Sequence, residues 1–202
     1  MIVQGSESVT STRDRILFTA MRLFAEKGYQ STSVADILGA ADANAGSLYH
    51  AFPTKQDVLI AVLEAYRDGI GPMLLEPAWG GIDDPVEQIF ALLAAYRRAL
   101  VETDCQYGCP IGSLALELHE PDPPVRALLA VNFDGWTAAV RDRVEAVGER
   151  LAAADPAQLA TFVLTVMEGA VMQARTHRSI APYDSCVASL RDYFQRLEEG
   201  KS

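Results

Sequence analysis

The stretch TSVADILGAADANAGSLYHAFPTK, Thr32 to Lys55, decides the reading of this chain. It holds two short helical segments, about Ser33 to Ala40 and about Asn44 to His50, joined by three or four residues. Val34, Ile37 and Leu38 face inward from the first, and Leu48 from the second. Neither segment can bury a large face alone, so the pair must lean on a longer helix. The preceding stretch, Arg13 to Lys27, supplies one. Thr12 is its expected N-cap, and Ile16, Ala20, Leu23 and Phe24 share a face with Leu17 and Met21 beside it. Gly28 ends it after Lys27, whose cation suits the helix dipole. Downstream, Phe52-Pro53-Thr54 is a break, and Thr54 caps a fourth helix through Val58, Leu59, Val62, Leu63 and Tyr66. Two short helices on a long one form a helix-turn-helix, whose second helix fits a major groove.

The outward residues suit that task. Asn44, Ala45, Gly46 and Ser47 are small or polar, so the backbone can approach a duplex closely. Asn44 offers an amide to a base edge or phosphate, and Ser47 a hydroxyl. Tyr49 and His50 are phosphate-competent, and Lys55 stands at a helix start where its charge and the N-terminus act together. Thr32 and Ser33 offer the same at the start of the second helix. Singly, each has a plain reading: Asn44 as an N-cap, Tyr49 as core, His50 as surface. Jointly they point to double-stranded DNA.

Thr32-Ser33-Val34, Asp36-Ile37, Ala40-Ala41, Gly46-Ser47-Leu48-Tyr49, Phe52, Lys55 and Leu59, with Ala25-Glu26-Lys27-Gly28-Tyr29 upstream, resemble the TetR family of transcriptional repressors. The resemblance spans about Arg13 to Tyr66. It implies a three-helix DNA-binding domain, a connecting helix and a helical ligand-binding, dimerising domain. One departure stands out: the family usually has Gly-Val between the two short helices, and here Asp42-Ala43 stands there. Asp tolerates a left-handed backbone less well than glycine and sets an anion near DNA.

The rest of the chain also reads as helix, near 84–104, 109–119, 122–152, 156–179 and 184–199, with prolines near the starts. Gly69, Gly71 and Pro72 mark a boundary, and Pro77, Gly80 and Gly81 a loose connection carrying Trp79 as a lid or an unordered loop. The expectation is an all-α chain: a DNA-binding domain over 1–53, a connecting helix over 54–71 and a ligand-binding, dimerising domain over 72–202. Gly108-Cys109-Pro110-Ile111-Gly112-Ser113-Leu114-Ala115 and Glu168-Gly169-Ala170 with Arg175 resemble the branch containing the LmrA and YxaF repressors. That resemblance implies a planar, aromatic or drug-like small-molecule effector. Candidates for an apolar pocket with a few polar groups are Phe90, Leu93, Tyr96, Tyr107, Cys109, Leu114, Phe133, Trp136, Met167, Met172 and Gln173, with His119 and His177 as further polar contacts. Aromatic and Met residues at helical spacing also read simply as core. The apolar stripes of the last two helices, with Phe162, Val166, Ala170, Ala174, Leu190 and Phe194, predict a homodimer through a four-helix bundle.

Composition bounds the function. The chain has 202 residues, 50% apolar, and a formal charge of -10. Residues 1–70 carry Arg13, Arg15, Arg22, Lys27, Lys55 and Arg67 against eight acids, a balance of -2; the remainder carries -8. The acidity therefore belongs mainly to the second part, and DNA affinity rests on a few placed contacts doubled by dimerisation. No continuous apolar run has the roughly 18 residues a membrane span needs, and Met1 to Thr12 lacks a signal peptide's pattern. No membrane partner is expected, and three cysteines suit a reducing cytoplasm. No cofactor is expected. A metal site would need ligands beyond Cys105 and Cys109, since His119 stands alone and Cys186 is distant. Cys109, just before a helix start, is also a candidate thiol sensor of oxidants and electrophiles. No Ser/His/Asp set, glycine-rich phosphate loop or zinc HExxH motif appears, so an enzyme is not expected. Glu117, His119 and Glu120 read as a solvated helix end. A helical ligand-binding protein without DNA binding, suggested by Asp42, is the remaining alternative.

Overall fold

The computed structural model describes residues 11–151 and 154–200, and these hold helices and no strand. The last residue of the segment expected over 122–152 lies outside the described residues. The helices are α1 (Thr12–Lys27), α2 (Val34–Ala41), α3 (Ala45–Ala51), α4 (Lys55–Ile70), α5 (Glu76–Trp79), α6 (Pro85–Glu102), α7 (Pro110–Glu117), α8 (Pro123–Val147), α9 (Pro156–His177) and α10 (Ala181–Glu198). Two compact units form. One comprises the residues up to Asp68 with Pro110–Asn132; the other comprises Gly69–Cys109 with everything from Phe133 on. The division drawn from the sequence was contiguous. Compactness instead groups α7 and the start of α8 with the helix-turn-helix.

In the first unit the helix starts are locally encoded. Ser11, not Thr12, caps α1: its ψ of 155° is extended, and its hydroxyl accepts the Asp14 N–H at 3.1 Å. Ser33 and Asp36 form a reciprocal capping box on α2. Thr54 and Asp57 do the same for α4, with bonds of 2.8 and 3.2 Å. The α2–α3 turn is left-handed at Asp42, with φ 47° and ψ 53°. Its carbonyl accepts from the Arg15 guanidinium at 3.3 Å, which ties the turn to α1. Ile16, Ala20, Leu23, Phe24, Ile37, Leu48, Phe52, Val58, Leu59, Val62 and Leu63 are buried. Within this unit Asn132 of α8 donates its amide to the Leu63 carbonyl of α4 at 3.0 Å.

The second unit begins at Gly69, where the sequence marks a boundary, but the backbone there stays helical. Helical backbone continues from Ile70 through a π turn at Gly71–Leu75 into α5. Pro72 lacks an N–H and its ring would crowd the preceding turn, and the wider π turn relieves both. Trp79 is likewise no loose lid: its indole donates to the Gln88 carbonyl at 2.8 Å, and Arg143 lies 4.8 Å over its ring.

The second unit is built around α6, α8, α9 and α10, with Ile89, Leu92, Trp136, Val140, Val163 and Met167 among its core. Phe90 and Phe194 meet edge to face at 5.4 Å. Arg97–Asp184 and Arg191–Glu87, both 2.7 Å, brace α6 against α10, though exposed pairs add little. Among the described helices α9 alone is long and apolar enough to cross a bilayer, a property no uninterrupted run revealed. One of its faces, Leu159, Ala160, Val163, Met167, Ala170, Val171 and Ala174, is buried in this core.

Candidate nucleic-acid interface and effector site

The α3 helix is held by Leu48, which is fully buried, while Asn44, Ala45, Gly46, Tyr49 and His50 are exposed and Ser47 is half-buried. The fold thus brings these residues together on one short helix. Asn44 is the N-cap: its Oδ1 accepts the Ser47 N–H at 2.8 Å, which leaves its Nδ2 to donate to a phosphate or base and one Oδ1 lone pair to accept from a base. Gly46 lies close to that cap, and an added Cβ would stand 3.2 Å from the same Oδ1. Ser33 is exposed, but its hydroxyl is engaged by Asp36 at 2.6 Å. That hydroxyl and the Ser33 N–H hold the Asp36 carboxyl below its usual range.

Two residues expected at the duplex are placed elsewhere. Thr32 is fully buried, and its hydroxyl donates to the carbonyl of Gly28 at 2.7 Å and approaches that of Leu23 at 3.3 Å. It finishes the C-terminal end of α1 rather than meeting phosphate. Lys55 folds back on Tyr29: its ammonium donates to the Tyr29 carbonyl and lies 4.1 Å from the ring centroid. Burial pushes its pKa down, partly offset by the Glu117 carboxylate. Near that pair, Glu117 of α7 accepts the N–H groups of Tyr29 and Gln30 at 2.9 and 2.7 Å. The sequence alone reads Glu117 as part of a solvated helix end.

In the second unit a set of polar side chains stands inside the apolar core. Burial raises the Tyr96 hydroxyl well above its ordinary pKa, and Cys109 and Glu168 add to that. Burial also raises the Glu168 carboxyl, partly offset by a hydrogen bond from Cys109. Glu168 Oε1 is buried without a hydrogen-bond partner, while the Trp136 indole N–H is buried facing the Tyr96 hydroxyl. The Tyr183 hydroxyl donates to the Leu93 carbonyl at 2.8 Å. The loop before Cys109 is seated on α9: a Cβ on Gly108 would stand 2.8 Å from Val171 and 2.7 Å from Arg175. Phe90, Leu93, Trp136 and Met167 surround this cluster as core residues. Tyr107 and Phe133 are half-buried in the same unit.

Other expected pocket residues fall outside it. Gln173, Met172 and His177 are exposed on α9, and Leu114 and His119 belong to the first unit. Cys109 is buried against a carboxyl, which is not the electropositive, part-exposed setting that activates a thiol. No group of three or more potential metal ligands occurs among the described residues.

The expected interface residues also divide. Ala170, Ala174, Leu190 and Phe194 are at most 2% exposed and pack within this chain's own core. Of these four, only Leu190 borders open space, at the floor of a groove. Phe162 is 45% exposed and stacks edge to face on exposed Tyr193 at 5.6 Å, with Val166 half-buried beside it. A groove of about 220 Å³ opens there, lined by Phe162, Val166, Ser185, Cys186, Ser189 and Leu190.

Residues 16–62 match the family of bacterial regulatory proteins named tetR, and residues 85–189 match the C-terminal domain of LmrA/YxaF-like transcriptional regulators. The chain belongs to the TetR family of transcriptional regulators. An HTH-type transcriptional regulator of Mycobacterium tuberculosis is 31% identical, over 89% of this chain and 92% of its own. The HTH-type transcriptional regulator YxaF of Bacillus subtilis is 30% identical, over 85% and 88%. The crystal structure of regulatory protein TetR from Rhodobacter sphaeroides superposes with a TM-score of 0.81 at 26% identity, covering 90% of this chain and 97% of that one. As a TetR-family member the chain is a DNA-binding regulator and not an enzyme. Of this regulator's internal polar groups, Tyr183 carried no sequence signal. Glu168 carried one: an acid embedded in the apolar run around Val166, Met167 and Ala170.

Proposed function

We propose that this regulator is a ligand-responsive repressor. It binds a palindromic operator as a homodimer in the cytoplasm and is released by a small aromatic or drug-like effector. The observation that carries the DNA half is the α3 helix, which exposes Asn44, Ala45, Gly46, Tyr49 and His50 while Leu48 anchors it. Two such helices, one per protomer, would read half-sites in successive major grooves. The exposed Phe162–Tyr193 face and its groove support dimerisation, because a lone chain gains by covering them.

The effector half rests on Tyr96, Trp136 and Glu168. An apolar surround with an unpartnered buried carboxyl oxygen on Glu168, beside Tyr96 and Trp136, suits a flat molecule carrying a hydrogen-bond donor. Such a ligand would shift the population between DNA-competent and incompetent states. A gel shift with DNA from upstream of the chain's own coding region, with and without a panel of aromatic compounds, tests the reading. A specific shift that a compound reverses is expected. No shift with any upstream fragment refutes DNA control, and a shift unaffected by every compound counts against an aromatic effector.

A further inference from the structure

We infer that Glu117 is a positioning residue of the DNA-reading unit, holding the α1–α2 connection in the geometry that sets the helix-turn-helix. Its carboxylate closes α7, far along the chain from the connection it holds. Oε2 accepts the Tyr29 N–H at 2.9 Å and Oε1 the Gln30 N–H at 2.7 Å. Two successive backbone N–H groups aimed at one anion form a nest. The Gln30 side chain returns a bond to the Glu117 carbonyl at 3.4 Å.

The connection is shaped to admit that carboxylate. Gly28 has φ +84°, and a Cβ there would stand 2.9 Å from each carboxylate oxygen. Tyr29 packs edge to face on Phe24 of α1 at 5.2 Å, and its carbonyl takes the Lys55 ammonium. The connection is thus fixed from α1, from α4 and, through Glu117, from α7. It leads directly into Ser33, the cap of α2, and so into the α2–α3 pair. The consequence for operators rests on the DNA-binding reading proposed above, whereas the clamp itself does not.

The test compares the full chain, Glu117→Gln and Glu120→Gln. Glutamine keeps the shape but offers one carbonyl oxygen to two N–H donors, with its own amide facing the second. Glu120→Gln makes the same charge change on an exposed residue just beyond α7. Gly28→Ala is a second route that leaves Glu117 in place, its methyl meeting the carboxylate and its φ of +84° straining the backbone as well, so Glu117→Gln alone judges the clamp. In amide exchange, Tyr29 and Gln30 are expected to exchange at least about tenfold faster in Glu117→Gln and Gly28→Ala. Exchange in α9 stays unchanged, and Glu120→Gln matches the parent. Against the duplex that the parent chain selects from a random pool, Glu117→Gln is expected to bind at least about tenfold more weakly. Unchanged exchange at Tyr29 and Gln30 overturns the clamp. Faster exchange with unchanged duplex affinity overturns the positioning role. A parent chain that selects no duplex refutes the DNA-binding reading and with it the positioning role, while exchange still judges the clamp.

Discussion

Thr32→Val separates two roles for one hydroxyl. Valine has threonine's shape, so the substitution replaces a hydroxyl by a methyl at a fully buried site. The single O–H proton serves mainly the Gly28 carbonyl at 2.7 Å, with the Leu23 carbonyl a longer second acceptor at 3.3 Å. Losing it leaves a buried carbonyl without its partner, at about 1–3 kcal/mol. The added methyl returns about 0.8 kcal/mol. The net loss is about 0.2–2 kcal/mol, which lowers Tm by up to roughly 8 °C in a chain of this size. Urea and thermal unfolding at fixed protein concentration measure it. A duplex titration over a range of salt then reads the number of phosphate contacts, and its slope should not change. If stability is unaltered and the slope falls by about one contact, Thr32 touches phosphate and the buried placement is wrong.

The other predictions follow from separate features. Asp42→Gly should raise stability by about 0.5–1 kcal/mol, because glycine adopts φ 47° without strain; urea unfolding checks it. Removing that anion should also raise affinity for non-specific DNA, read as a shifted titration midpoint. Phe162→Glu places a charge on the exposed apolar face and should yield monomers by light scattering at micromolar concentration; an unchanged dimer mass moves the interface elsewhere. Glu168 has its pKa raised by burial, so its contribution to stability is full below its unfolded pKa and is lost as pH rises through the folded value. Glu168→Gln should therefore gain stability over the parent at pH 8 relative to pH 4, and a difference in Tm that is flat with pH counts against it. Asp36 behaves oppositely, its depressed carboxyl stabilising above its unfolded pKa and losing that as pH falls; Asp36→Asn should flatten the acid limb of the stability curve.

What the sequence determined here is local. Helix starts follow from residues three apart, such as Ser33 with Asp36 and Thr54 with Asp57, and helix faces from apolar spacing. The helix-turn-helix was legible because Leu48 and Ile37 must point inward once α1 is present, leaving the small residues of α3 outside. Errors of one residue, Thr12 for Ser11, arose where two adjacent hydroxyls competed for one cap. Tertiary structure alone decided which polar groups remain free. Thr32 and Lys55 look like phosphate ligands in a one-dimensional reading, but carbonyls of α1 and its following turn engage them. Glu117 looked like solvated surface, yet it meets two N–H groups that lie 88 and 87 positions away. The apolar stripes of α9 and α10 showed that two faces must be covered, but not by what. Ala170, Ala174, Leu190 and Phe194 are covered by the chain itself, while Phe162 and Tyr193 are left outside. Periodicity records that a side chain needs burial; only the packed fold assigns the atoms that bury it.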